Sequence, residues 1–213
     1  MIPFCLVVIA LVSYVLGSVN GAIVASRVLY HDDIRNYGSH NAGLTNFHRT
    51  YGMAGVAWVI GIDIGKTALG VLLGKFLMSF FDASDVGALF ASLCLVLGHM
   101  YPVFHGMRGG KGVMCAGISM FFIDWRIGIM AAIVFFGLIA AFRYVSLGSV
   151  VVALVYPILV LLTGHGGLCA TIALVIAILV IVKHRTNIVR LLNHTESKLV
   201  FKKDLSDKFG EKF

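Results

Sequence analysis

Tyr144-Val-Ser-Leu-Gly-Ser-Val-Val-Val-Ala-Leu-Val-Tyr-Pro-Ile-Leu-Val-Leu-Leu-Thr163 runs for twenty residues without an Asp, Glu, Lys or Arg. That is the length a helix needs to cross the ~30 Å hydrocarbon layer of a bilayer. Working outward, similar apolar stretches lie at 3–26, 53–79, 86–104, 112–123, 127–142 and 168–183. With 144–163 they make about seven transmembrane helices in an all-α polytopic membrane protein. The stretch 112–123 is too short to span alone at ~1.5 Å per residue. A five-span count, with 112–142 arranged differently, is the rival topology.

Composition agrees. The 213 residues are 59% hydrophobic and 13% charged, with a mean hydropathy of +0.95. Soluble domains are about 45–50% apolar and about 25% charged. The net charge of +7 sits between apolar blocks, not on a stripe, which argues against a nucleic-acid module. Cys5, Cys94, Cys115 and Cys169 lie in or beside apolar runs with no CxxC pair, so neither a disulfide framework nor a zinc site is expected. Residues 3–16 lack a basic n-region and read as a retained first helix, not a leader. No repeat or second domain is visible, so 1–213 reads as one domain whose tail, 198–213, is charged and frayed.

Lys and Arg placement sets orientation. With the N-terminus outside and the C-terminus cytoplasmic, fourteen of the seventeen Lys and Arg residues are cytoplasmic; Lys66, Lys75 and Arg126 are the exceptions. The cytoplasmic loops 27–52, 105–112 and 183–213 are longer and more polar than the outer ones. Function is therefore expected on that face.

Those loops carry phosphate-type chemistry. The first, Asp33-Ile-Arg-Asn-Tyr-Gly-Ser-His-Asn-Ala-Gly-Leu-Thr-Asn-Phe-His-Arg49, offers Arg35 and Arg49. Arginine matches phosphate with paired donors. Ser39, Asn41, Thr45 and Asn46 add hydroxyls and amides. The second, Gly106-Met-Arg-Gly-Gly-Lys-Gly112, sets Lys111 among Gly109, Gly110 and Gly112. Successive glycine amides form an anion-binding nest. It is not a Walker A sequence, and Gly61-Ile-Asp-Ile-Gly-Lys-Thr67 has its glycines one residue too close to be one. Ser146 and Ser149 share a helix face, as do His184 and Asn187. Within the spans, Asp63 and Lys66 read as a structural ion pair. His99 is either a functional histidine or a partner for backbone broken near Pro102. No metal cluster and no cofactor is expected.

In order, Asp33-Ile-Arg35 with Gly38-Ser39-x-Asn41-x-Gly43-x-Thr45-Asn46-x-x-Arg49, His99-x-x-Pro102-x-Phe104 with Gly109-Gly110-Lys111-Gly112-Val113, and Arg143-Tyr144-x-Ser146 through Ser149 with His184-Arg185-x-Asn187-Ile188 resemble the three motifs of the bacterial acyl-phosphate:glycerol-3-phosphate acyltransferase family. The resemblance covers nearly the whole chain. His40 stands where the family has glycine, Leu44 where it has alanine, Met114-Cys115 where it has Ala-Thr, and Thr67 where it has glycine.

The resemblance implies a seven-helix, multi-pass enzyme of the bacterial cytoplasmic (inner) membrane, working among membrane lipids with its site on the cytoplasmic face. It would pass an acyl chain from acyl phosphate to glycerol 3-phosphate in phospholipid biosynthesis, giving 1-acylglycerol 3-phosphate and inorganic phosphate. Ser39, Arg49, Lys111, His184 and Asn187 are the expected catalytic residues. Arg35, Asn41, Thr45, Asn46, Gly109, Gly110, Gly112, Ser146 and Ser149 are expected to bind substrate. On this reading Ser39 and the amides of 109–112 hold the donor phosphate, while Arg49, Lys111, Asn187 and Ser149 orient glycerol 3-phosphate. The base is His184 or, preferably, a substrate phosphate oxygen. A monomer is expected. The alternative is a small organic-phosphate transporter, which should show inverted repeats and a site near the midplane.

Overall fold

The computed structural model describes residues 1–199 and is helical throughout its apolar stretches. Residues 200–213, most of the tail expected to fray, lie outside the described residues. The helices are α1 (Ile2–Ser18), α2 (Gly21–Tyr30), α3 (Leu44–Tyr51), α4 (Val56–Ser79), α5 (Ser84–Met100), α6 (Val113–Ile123), α7 (Trp125–Phe142), α8 (Val145–Leu162), α9 (Gly167–Lys183) and α10 (Arg185–Leu192). In lipid every backbone polar group needs an internal partner, so apolar runs of this length become helices.

All seven predicted stretches are helical, but not all have spanning length. Ile2–Tyr30, α4, Ser84–His105, α7 and α8 are long and apolar enough, making five; α9 and α10, bent by 61°, make six if taken as one span. The remaining stretch, α6, has only 11 residues. At ~1.5 Å per residue it covers about half the hydrocarbon layer. The first stretch extends further than predicted, with a break at Val19 and Asn20. There the Asn20 side chain caps α2 by accepting from Ile23 N at 3.1 Å.

α5 is the most buried span. Helices approach it through glycine: a Cβ on Gly98 would strike Tyr14 O of α1, and one on Gly74 of α4 would strike Gly87 O. Small residues let helix backbones meet where hydrophobic burial gives no advantage over lipid. Large apolar side chains instead face outward, among them Leu11, Leu69, Phe76, Ile133, Phe136 and Leu162.

Two polar layers close the bundle's ends. At one, Lys75 Nζ caps α6 through Phe122 O and Ile123 O, both at 3.0 Å. Beside it His165 lies between Asp85 (2.9 Å) and Asp124 (3.2 Å), and Asp124 pairs with Arg126 at 2.7 Å. Hydrogen bonds from Arg126 hold the Asp124 carboxyl well below the usual carboxylate range. The loops 31–43 and 101–112, the α7–α8 junction and residues 184–199 all gather at the other end.

Candidate active site

The first loop folds around Asn46, which is 3% exposed. Its Oδ1 accepts from Ser39 N at 3.0 Å, and its Nδ2 donates to Ile34 O, Tyr37 O and Asn41 O at 3.0–3.3 Å. Asn46, expected to touch substrate, is thus occupied in shaping the loop. Arg35 likewise faces protein. Its Nε and one terminal nitrogen clasp Asp33 at 2.9 and 2.7 Å, while the other donates to His105 O (2.6 Å) and Arg108 O (3.0 Å). An aspartate two residues away meets the guanidinium first, and Arg35 becomes the tie between the first and second loops. His40 stands in the left-handed region (φ 56°), a conformation glycine takes without steric cost, and its Nδ1 donates to Arg35 O at 2.9 Å.

Held on that scaffold, Ser39 is exposed and its hydroxyl has no hydrogen-bond partner among the described residues. Asn41 and Thr45 are partly buried beside it, at the start of α3. Arg49, on α3, is exposed and donates to Ser197 O at 3.0 Å.

In the second loop the glycines serve close approach more than anion capture. Gly109 N donates to Met100 O (3.2 Å) and Gly110 N to His99 O (3.0 Å), so two of the amides assigned to phosphate are engaged with the C-terminal end of α5. A Cβ on Gly109 would strike His99 O, one on Gly110 would strike the His99 ring and Ala42 O, and one on Gly112 would strike Met100 and Val96. The loop therefore lies flat on α5 and presents Lys111.

Lys111 Nζ donates to Asn187 Oδ1. Asn187 Nδ2 donates to Glu196 Oε1 at 2.7 Å, Ser146 Oγ donates to the same oxygen at 2.8 Å, and Arg190 Nε donates to Glu196 Oε2 at 2.7 Å. Burial lowers the Lys111 pKa to about 8; Arg190 and Arg49 push the same way, and Glu196 opposes them. Arg190 directly and Lys111 through Asn187 thus meet one carboxylate, and Arg49 joins the adjacent Ser197 carbonyl. Burial raises the Glu196 pKa, but the bonds from Arg190, Asn187 and Ser146 together prevail and hold it below its ordinary value.

His184 sits at the α9–α10 bend, 3% exposed. Its Nδ1 lies 2.8 Å from Val180 O. A carbonyl can only accept, so Nδ1 carries the proton and Nε2 keeps its lone pair. Ser149 Oγ donates to Val145 O of its own helix at 2.9 Å, the backbone bond serines commonly make, leaving its oxygen able to accept.

Arg190 and Glu196 were not singled out from sequence. Arg190 had a signal: His184, Asn187 and Arg190 recur every three residues, which puts them along one side of α10. Glu196 had none, because its position depends on the chain folding back after α10 through His194 (φ 56°), where Thr195 N and Glu196 N both donate to Arg190 O.

Comparison with known proteins gives the family. The family model described as glycerol-3-phosphate acyltransferase matches residues 7–194. The glycerol-3-phosphate acyltransferase of Thermoanaerobacter sp. (strain X514) is 36% identical over 193 residues, covering 91% of this chain and 95% of its own. That of Clostridioides difficile (strain 630) is 38% identical over 204 residues, covering 94% and 98%. Among solved structures, the integral membrane glycerol 3-phosphate acyltransferase PlsY (YgiH) in its glycerol 3-phosphate form superposes with a TM-score of 0.83 at 30% identity, covering 97% of this chain and 99% of that one. Its lysophosphatidic acid form gives 0.81, also at 30%, covering 92% and 96%. With the motifs in order, the apolar bundle and this cationic end in place, the chain belongs to the glycerol-3-phosphate acyltransferase family.

Proposed function

We propose that this chain moves an acyl group from acyl phosphate to the 1-hydroxyl of glycerol 3-phosphate, as a single membrane domain and a monomer. The site faces the cytoplasm of a bacterial inner membrane, in line with the distribution of Lys and Arg. The observation that carries the reading is the network in which Lys111, through Asn187, and Arg190 meet the Glu196 carboxylate, with Arg49 on the adjacent Ser197 carbonyl. That net positive charge, at the end of an apolar bundle, suits two phosphate-bearing substrates of which one has a lipid tail. The solved relative's glycerol 3-phosphate and lysophosphatidic acid forms supply the matching acceptor and product. A transporter reading has less support, because the loops with phosphate-type residues meet at one end of the bundle, while the polar groups inside it, Asp63, Lys66 and His99, are engaged with one another and with the α1–α2 break.

In the reaction the glycerol hydroxyl oxygen attacks the acyl carbonyl carbon. The bond from that carbon to the phosphate oxygen breaks, and its electrons leave with inorganic phosphate. The mixed anhydride is already activated, so the protein acts by holding both phosphates and stabilising charge. Departing phosphate takes the 1-hydroxyl proton, while His184 Nε2 accepts a hydrogen bond from the neighbouring 2-hydroxyl and so turns the 1-hydroxyl toward the donor.

Purified protein in lipid, given palmitoyl phosphate and glycerol 3-phosphate, is expected to release phosphate only when both are present, and to form neither free CoA nor 1-acylglycerol 3-phosphate when acyl-CoA is the donor. Absence of release from folded protein would remove the reading. His184→Ala is expected to lose about tenfold in kcat and keep the wild-type pH profile. A loss within the ~10²–10⁴-fold range of general-base removal, together with a changed acidic limb, would assign the base to His184 instead.

A further inference from the structure

Beneath the site, inside the apolar bundle, lie three polar side chains that the reaction does not use. Asp63 and Lys66 are 2.7 Å apart on α4, with side chains 2% and 4% exposed, and His99 on α5 is 3% exposed. Lys66 Nζ also lies 2.7 Å from Val19 O, 3.3 Å from Gly17 O and 3.0 Å from His99 Nδ1. An ammonium only donates, so His99 Nδ1 must accept and the ring proton sits on Nε2. Asp63 Oδ1 accepts from Gly21 N at 3.3 Å. The pair therefore seals the break between α1 and α2, as a structural ion pair should.

The third member extends this beyond structure. His99 O receives Gly110 N, and the His99 ring is one of the two groups a Cβ on Gly110 would strike. The other is Ala42 O of the first loop, which is fixed by Asn20 Nδ2 at 3.1 Å. Nε2 has no hydrogen-bond partner among the described residues and lies against Gly110. Gly110 is thus wedged between the His99 ring and the first loop, and the residue after it is Lys111. A buried ion pair is weak evidence for stability, since apolar replacements of both partners are often neutral or better. Its contacts lead instead to the loop that presents the phosphate-binding lysine.

We infer that the Asp63–Lys66–His99 chain is a positioning device: through Gly110 it sets where Lys111 stands relative to the first loop. The inference rests on the proposed role of Lys111 toward substrate phosphate.

Two variants test it. Asp63→Leu with Lys66→Met removes both charges together and strands neither in the bundle. His99→Asn keeps an acceptor near Lys66 but removes the ring under Gly110. Each would be purified in lipid, checked for monodispersity and Tm, and assayed for phosphate release beside wild type. The expected result is a folded protein whose KM for glycerol 3-phosphate rises about tenfold or more, the scale on which small misplacements of positioning groups act, with a smaller change in kcat. Wild-type KM with only a lowered Tm would overturn the proposal, and so would failure of both variants to fold, because each assigns the chain to holding the bundle. An inactive wild type would instead remove the acyltransferase reading.

Discussion

Lys111→Ala is expected to lower kcat/KM for glycerol 3-phosphate by ~10²–10³-fold, the usual cost of deleting one preorganised electrostatic donor, while leaving the protein no less heat-stable than wild type. The two halves of this expectation have one cause. Burial, reinforced by Arg190 and Arg49, holds the Lys111 pKa at about 8, below its ordinary 10.5. Between those values the unfolded chain binds the proton more tightly than the folded one, so stability rises with pH across that window and is reduced below it. The charge is therefore a liability to the empty fold and an asset once a phosphate neutralises it. Wild-type kcat/KM should fall as pH rises through about 8 in the free enzyme, because the neutral amine no longer attracts phosphate. Lys111→Arg should remove that limb, since a guanidinium stays charged throughout. Its activity should recover only in part, because the fork shape differs from a point charge. Circular dichroism melts and a pH–rate series on the three proteins test this directly. An Ala variant that unfolds at lower temperature, or a basic limb that persists in Lys111→Arg, would refute it.

Much of this architecture could be read from the chain because lipid leaves the backbone few choices. A run such as 168–183 has no outlet for its amides except a helix, and α9 forms there. Span counting was less secure. Eleven residues of α6 read as apolar whether or not they reach both surfaces, and its length depends on the Gly112 and Asp124 ends. In the loops the ambiguity is chemical. Arginine suits a carboxylate or main-chain carbonyls as well as phosphate, and only the fold reveals that Arg35 meets Asp33, His105 O and Arg108 O while Arg49 stays exposed with no carboxylate partner among the described residues. Glycine is similarly two-valued. Gly109 and Gly110 looked like nest amides, yet their lack of side chains is what lets the loop lie on His99. Lys111, Asn187 and Ser146 were both legible and brought together, since each extends a polar group from a loop or helix end into the same network.

Glu196→Ala is expected to be the most damaging change outside the predicted residue set, with a stability loss of about 1.5–3 kcal/mol, the scale of hydrogen bonds to a charged group, because Arg190 is 43% exposed and is not left as a buried charge. The Glu196 side chain is 6% exposed, and its two oxygens take hydrogen bonds from Ser146, Asn187 and Arg190. It also fixes the strap that follows α10, where Ser197 O receives Arg49 and Leu199 N donates to Arg143 O at 2.7 Å. Removing the carboxylate takes away the charge that favours protonated Lys111 and leaves the repulsion from Arg190 and Arg49. It also frees Asn187, the partner that holds Lys111. Glu196→Gln should be milder, because its carbonyl oxygen can still accept from Ser146 and Asn187 while the attraction to Arg190 is lost. Since the folded pKa of Glu196 lies below its ordinary value, the stability it contributes is present above that value and disappears as pH falls through the folded one. The Gln variant should accordingly lose less stability on acidification than wild type. Thermal melts in lipid at neutral and acid pH, paired with the phosphate-release assay, separate this from the opposite possibility. If Glu196→Ala stayed folded and bound glycerol 3-phosphate more tightly, the carboxylate would be standing where a substrate phosphate belongs, and its role as the anchor of the site would be wrong.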